Sequence, residues 1–360
     1  MASSRTDSAL GRSDPPATGR PVDDVRTGRD AVGVRLLRRP EVGAAVAALI
    51  IFGFFSIRTD AFLSPAGAST WLESSAQFGI MAVAVSLLMI GGEFDLSAGT
   101  MVGTSGLVVG VLTTQWQLNI WLSVVLALVI ALGIGALNGW LVVRTKLPSF
   151  IVTLGTFFVL QGVNLAGTKA ITGQVAVQGF ADVPGFYDLR WPFGSSTAFG
   201  DFTLQISVIW WVVVTAVATW VLLRTRAGNW IFAVGGDENS ARQVGVPVLR
   251  TKVGLFMTTA AAGWLVGMLQ LFKTSTVQAS TGVGQEFIYI ICAVVGGCLL
   301  TGGFGSAIGA ALGALIYGMT YQGIVFAQWD NDWLKAFLGV MLLGAVLVNN
   351  WLRRRVEARK

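Results

Sequence analysis

LSAGTMVGTSGLVVGVLTTQWQLNIWLSVVLALVIALGIGALNGWLVV, residues 96–143, contains no Asp, Glu, Lys or Arg. A helix needs roughly 20 predominantly apolar residues to cross the hydrocarbon of a bilayer, and this stretch is long enough for two crossings. Gln115-Trp116-Gln117 divides them. Read outward from here, the chain gives ten apolar runs, at 42–57, 74–92, 95–113, 118–143, 148–168, 205–223, 253–272, 286–300, 303–327 and 334–351. The expectation is an all-α, polytopic membrane protein of about ten transmembrane helices.

Composition agrees: 54% of residues are hydrophobic and 12% charged, against about 25% charged in an average soluble chain. The 45 glycines recur inside apolar runs, where small residues let membrane helices approach closely. There is no histidine, which removes His-based triads, histidine metal sites and the usual near-neutral proton shuttle. No catalytic residue and no metal site is expected. Cys292 and Cys298 lie in an apolar run, outside any disulfide framework or zinc spacing, and are read as packing residues.

Residues 1–40 are polar and of mixed charge, and are expected to be a disordered cytoplasmic tail rather than a signal peptide, since the first apolar run begins too late. Residues 41–352 form the expected transmembrane domain and 353–360 a basic cytoplasmic tail. Basic residues orient the spans. With the N-terminus inside, Arg35, Arg38, Arg39, Arg144, Lys146, Arg224, Arg226, Arg242, Arg250, Lys252, Arg353, Arg354, Arg355, Arg359 and Lys360 are cytoplasmic, and only Arg58, Lys169, Arg190, Lys273 and Lys335 face outward. Both termini are then inside, the 224–252 loop is cytoplasmic, and the net charge of +6 reflects the membrane and implies no nucleic acid. The 169–204 segment becomes the largest outer loop, either a connector or a docking surface for an extracytoplasmic partner.

Three motifs carry chemistry. In Gly91-Gly92-Glu93-Phe94-Asp95-Leu96-Ser97-Ala98-Gly99 two carboxylates sit at the seam of two apolar runs, where an unpaired charge costs at least about 2.5 kcal/mol. Glu93, Asp95 and Ser97 therefore mark a helix break capped by Asp95 or Ser97, a polar translocation path, or both. Asn138, Thr153, Thr156, Gln161 and Asn164, polar positions inside spans, either line that path or satisfy neighbouring helices. In the second motif, spanning 233–247, Asp237 or Asn239 can cap a short helix ending at Gly245, with Pro247 beyond it. Gly235, Gly236, Asp237, Glu238, Asn239, Ala241, Arg242 and Gly245 are its candidate contact residues. In the third, Gly305, Gly309 and Gly313 form a small-residue ridge on one helix face.

Ile90-Gly91-Gly92 before Gly99 and Gly103 is echoed by Val295-Gly296-Gly297 before Gly305. Both double glycines end a span that is followed by a glycine-ridged one, which predicts two related halves of like orientation. No ATP-binding loop is present: at the nearest approach, Gly267 to Thr274, Phe272 occupies the required glycine position.

Four stretches, GGEFDLSAGTMVG (91–103), LPSFIVTLGTFFVLQG (147–162), TRAGNWIFAVGGDENSARQVGVPV (225–248) and GQEFIYIICAVVGGCLLTGGFGSAIGAALGALI (284–316), resemble the permeases of ribose, xylose, arabinose and galactose ABC importers and the related autoinducer-2 permeases, within the branched-chain-amino-acid/ribose permease superfamily. The resemblance runs in family order over most of 45–350. It implies that the helix near 236–245 is the coupling helix that docks on a separate sugar ABC ATPase subunit, which carries ATP and Mg. This chain itself would carry no cofactor. It further implies a periplasmic or lipid-anchored sugar-binding protein, a second permease copy or paralogue, and the bacterial inner membrane as location. The departures are Phe94 and Ala98 in the usual Ile-Asp-Leu-Ser-Val-Gly, the added charge of Glu93, Tyr321-Gln322-Gly323 for an asparagine pair, and a longer 171–203 loop. The alternatives are an ion-coupled secondary transporter using Glu93 and Asp95, and a membrane-embedded enzyme, against which stands the lack of any nucleophile-base pair.

Overall fold

The computed structural model describes residues 40–330 and 332–357; apart from Pro40, the expected tail of 1–40 lies outside them. The first helices are α1 (Pro40–Arg58), the single turn α2 (Asp60–Leu63) and α3 (Pro65–Ile90). Hydropathy opened the α3 span at 74, but the helix begins earlier. Pro65 takes a first-turn position and the Ser64 hydroxyl accepts from the Gly67 N–H at 3.0 Å, and these local signals set a helix start whatever the hydropathy of the first turns.

Then come α4 (Ala98–Thr114), α5 (Ile120–Thr145), α6 (Ser149–Gly162), a π-helical turn (Val163–Gly167) and α7 (Thr168–Thr172). The polar division at 115–117 is real: α4 stops at Thr114, and Asn119 accepts from the Trp121 and Leu122 N–H groups to start α5. Next are α8 (Phe186–Gly194), α9 (Ile206–Arg224), α10 (Arg226–Gly236), α11 (Glu238–Gln243), α12 (Val248–Thr274), α13 (Glu286–Val295), α14 (Ala307–Phe326) and α15 (Asp332–Glu357). The described residues are overwhelmingly helical, with two small antiparallel ribbons. In one, β1 (Ala176–Val177) pairs with the strand at Val277–Gln278; in the other, β2 (Ser196–Phe199) pairs with β3 (Phe202–Gln205).

Among the described residues seven helical segments are long and apolar enough to cross a membrane: α1, α3, α5, the α6–α7 unit, α9, α12 and α14. α4 and α13 are apolar but shorter. α13 ends at Val295, well before the expected 300, because the double glycine that follows turns the chain. Burial sorts the spans into two layers. The apolar windows of α3, α12 and α14 are 78%, 72% and 67% buried, while those of α1, α5, α6–α7 and α9 are 17–33% buried, so the first three form the centre and the rest present side chains to lipid.

Small residues permit the central crossings. A Cβ on Gly139 would lie 2.7 Å from the Val253 Cα and one on Gly135 2.7 Å from the Phe256 carbonyl oxygen, so α5 and α12 run antiparallel at backbone range. That brings Arg144 to the same end as Arg250 and Lys252. The 169–204 segment is folded onto the opposite end. α8 turns Phe186, Leu189 and Phe193 inward, where Phe186 and Phe193 meet Phe272, and leaves Tyr187 and Trp191 exposed.

Candidate functional site: a helix break joined to a surface helix pair

The two double glycines end their helices in the same way. After α3, Gly92 donates to the Met89 carbonyl at 2.9 Å and Glu93 to the Leu88 carbonyl at 3.1 Å; after α13, Gly297 donates to Val294 at 2.9 Å and Cys298 to Ala293 at 3.0 Å. These paired bonds close a helix through a left-handed residue, and Gly92 and Gly297 adopt φ of 83° and 94°, which glycine takes without a Cβ penalty. The loop between α13 and α14 is locked to the end of α3 by the Gly303 N–H, which donates to the Ile90 carbonyl at 2.8 Å.

Beyond Gly92 the chain stays non-helical until Ala98. Its buried N–H groups need acceptors, and α6 supplies two: Phe94 donates to the Ser149 hydroxyl at 3.0 Å and Leu96 to the Thr153 hydroxyl at 3.1 Å. Asp95 Oδ1 accepts from the Ser97 N–H at 2.8 Å and from the Ser97 hydroxyl at 2.5 Å. The Asn138 amide donates to Ser97 at 3.1 Å and accepts from Thr156 at 2.6 Å. Six residues named from the sequence thus meet here: Asp95, Ser97, Asn138 and Thr156 in one hydrogen-bonded chain, Thr153 on the neighbouring Leu96 N–H, and Glu93 beside them. Asp95 folds back on Ser97 instead of capping α4, and Ser97 holds the cap position without a side-chain cap bond. Asn164 lies apart, buried and donating to Thr104 at 3.0 Å, and Gln161 is half-buried outside the network. Gln77 and Gln270 also satisfy each other, at 3.2 Å.

α10 and α11 form the second part of the site. α10 buries Gly228, Ile231 and Val234 and exposes Arg226, Asn229 and Trp230. Asp237 is the cap of α11, accepting from the Ser240 N–H at 2.6 Å. That N–H bond holds the exposed Asp237 carboxyl below the usual carboxylate range. Asn239, the other sequence candidate, is already inside the first turn. α11 ends at Gln243 before the left-handed Gly245, and Ala241 packs with Val234 and Val248. Gly236, Asp237, Asn239, Arg242, Val244 and Gly245 remain exposed, with Val244 79% exposed at the tip.

The two parts touch through backbone and charge. A Cβ on Gly235 would overlap the Ile90 carbonyl oxygen and lie 2.8 Å from the Gly303 nitrogen, so α10 rests directly on the end of α3 and on the Gly302-Gly303 loop that precedes α14. Lys252, buried in the first turns of α12, pairs with Glu93 and, at 2.5 Å, with Glu238, and Glu238 takes Arg242 at 2.7 Å. Burial works against ionisation of Glu238, but Lys252 and Arg242 outweigh it and hold its carboxyl below the usual range. Sequence reading missed Lys252, Ser149 and Val244 as parts of the site. The signal for Lys252 was present, since a carboxylate at the seam requires a cation and Lys252 was counted only for topology.

The glycine ridge of α14 needs one correction. Gly309 and Gly313 would place a Cβ onto the Gly296 and Cys292 carbonyl oxygens, but Gly305 precedes the helix, whose cap is Ser306, and sits against Cys298 and Ile90. Both cysteines are free and buried. Among the described residues no cluster of His, Cys, Asp and Glu could hold a metal ion.

The profile of the family described as branched-chain amino acid transport system, permease component, matches residues 67–346. The ribose import permease of Escherichia coli K12 is 27% identical over 311 residues, covering 86% of this chain and 94% of its own. The fructose import permease of Rhizobium meliloti is 29% identical, covering 86% and 84%. The autoinducer 2 import system permease of Enterobacter sp. strain 638 is 31% identical over 322 residues, covering 89% of each. The matched region takes in the helix break, the α10–α11 pair and both glycine turns, and the chain belongs to the branched-chain amino acid and ribose permease family, as a multi-pass inner-membrane permease of the ABC importer class.

Proposed function

We propose that this chain is the membrane-spanning subunit of an importer for a monosaccharide or sugar-like solute, energised by a separate ATPase subunit and fed by a solute-binding protein. The observation that carries the reading is the α10–α11 pair: a short, capped helix with an exposed apolar tip at Val244, held at the end of the bundle where Arg144, Arg250 and Lys252 gather. A partner can grip such an element, because its base is anchored by Ala241, Val234 and Val248 while its outer face is free. The sugar class is supported by the relatives, whose names specify ribose, fructose and autoinducer 2.

The chain supplies a path and a coupling surface and no covalent chemistry. The polar residues of the helix break bond one another, and a cavity of about 520 Å³ between α9 and α14 is walled mainly by carbon, unsuited to a hydroxyl-rich solute. A path between two copies, or between this chain and a paralogue, fits both facts. Ten spans with both termini cytoplasmic, and 169–204 facing a binding protein, complete the proposal.

The test is co-purification with the cognate ATPase, comparing wild type with a chain whose 236–245 residues are scrambled, followed by uptake of ribose, xylose and fructose in proteoliposomes. Capture and ATP-dependent uptake by the wild type alone are expected. Capture by neither, with uptake following an ion gradient, overturns the importer reading in favour of a secondary transporter.

A further inference from the structure

Four side chains of alternating charge run from the interior to the surface: Glu93, Lys252, Glu238 and Arg242. Glu93 and Lys252 are buried, Glu238 is half-buried and Arg242 exposed. Their formal charges cancel, which is the condition under which buried ions persist. The sharing of Lys252 matters more than the neutrality. One ammonium group holds a carboxylate of the 91–97 break and a carboxylate of α11 at the same time, so the two elements cannot separate without leaving a buried charge incompletely paired.

A second and independent connection lies beside it. Gly235, at the end of α10, meets the Ile90 carbonyl and the Gly303 nitrogen with no side chain between them. A displacement of α10 therefore reaches the break as backbone movement, with no rotamer to absorb it. From the break it continues into α6, since Phe94 and Leu96 hang on Ser149 and Thr153.

We propose that Lys252 is a positioning residue that transmits displacement of α11 to the 94–97 break and thence to α6, so that engagement of α11 alters the packing of α6 on the centre of the bundle. The use of this linkage in transport rests on the reading of α11 as the ATPase-docking element; the linkage itself does not.

The experiment is amide-resolved hydrogen exchange on the full chain in lipid nanodiscs, for wild type, Glu238→Gln, Lys252→Met and Lys252→Arg. Glu238→Gln leaves the buried Lys252–Glu93 pair in place, so it keeps the test informative if Lys252→Met fails to fold. The expected result is exchange at Phe94 and Leu96 faster by about tenfold in Glu238→Gln, the size of a modest coupling between sites, faster still in Lys252→Met, and near wild type in Lys252→Arg. A purely local role predicts faster exchange at Ser240 and Ala241 with Phe94 and Leu96 unmoved, and that result overturns the proposal. ATPase capture measured on the same samples separates the two readings. A wild type that holds no ATPase removes the importer reading and leaves the exchange result standing, whereas a captured ATPase with an unmoved break removes the linkage alone.

Discussion

At Gly235 the lack of a side chain is what lets the end of α10 meet the end of α3 backbone to backbone. A Cβ there would overlap the Ile90 carbonyl oxygen, and that neighbour is backbone, unable to swing away. One residue on, a Cβ at Gly236 meets nothing within 4 Å. Gly235→Ala is therefore expected to destabilise the protein by about 1–3 kcal/mol, the range for overpacking, and Gly236→Ala to be near neutral; thermal unfolding of the two variants in one detergent checks the difference. Asp237 gives a pH signature. Its carboxyl is held below the usual range by the Ser240 N–H, so its support of α11 is fully present above the unfolded carboxylate value, about 3.9, and disappears as pH falls through the lower folded value. The protection of the Ser240 amide in wild type relative to Asp237→Ala should be constant from pH 7 down to about pH 5 and should vanish at still lower pH.

Among the elements, the break at 91–97 depends on α6 for its hydrogen bonds. Thr153→Val keeps the shape and removes the acceptor of the Leu96 N–H, leaving a buried donor unpaired at a cost of about 1–3 kcal/mol. Thr153→Ser should retain most of the wild-type stability. If Thr153→Val melts with the wild type, α6 does not hold the break. The break was partly legible beforehand: two glycines followed by two carboxylates between apolar runs cannot continue a helix through lipid. Its acceptors were not, because Ser149, Thr153 and Thr156 are spaced for one face of a helix, and nothing local says which neighbour that face meets.

For the whole molecule, the orientation proposed for the spans places α11 and the β2–β3 hairpin on opposite sides of the membrane. Cys292 and Cys298 are both buried, so single-cysteine reporters can be read against a quiet background. Gly200→Cys, at the hairpin, should react with a membrane-impermeant maleimide in intact cells, and Gly236→Cys only after permeabilisation. Equal labelling of both before permeabilisation would refute the topology.

Hydropathy and local turn signals already mark the chain as a helical membrane protein, locate most of its helices, and show that 91–99 and 233–247 interrupt the apolar pattern. Those properties are local: hydropathy over about 20 residues, caps, glycines and the charges between runs act within a few turns of chain. Only the folded packing shows that Glu93 is neutralised by Lys252, that Lys252 also holds Glu238, that Gly235 sits on the end of α3 and the Gly302-Gly303 loop, and that α3, α12 and α14 form the centre. Each of these joins residues far apart in the chain, and in lipid the helices gain no hydrophobic energy by associating, so close packing and paired polar groups select their neighbours. That selection depends on complementary faces meeting in three dimensions, and it brings the break and the surface helix pair together into one candidate site.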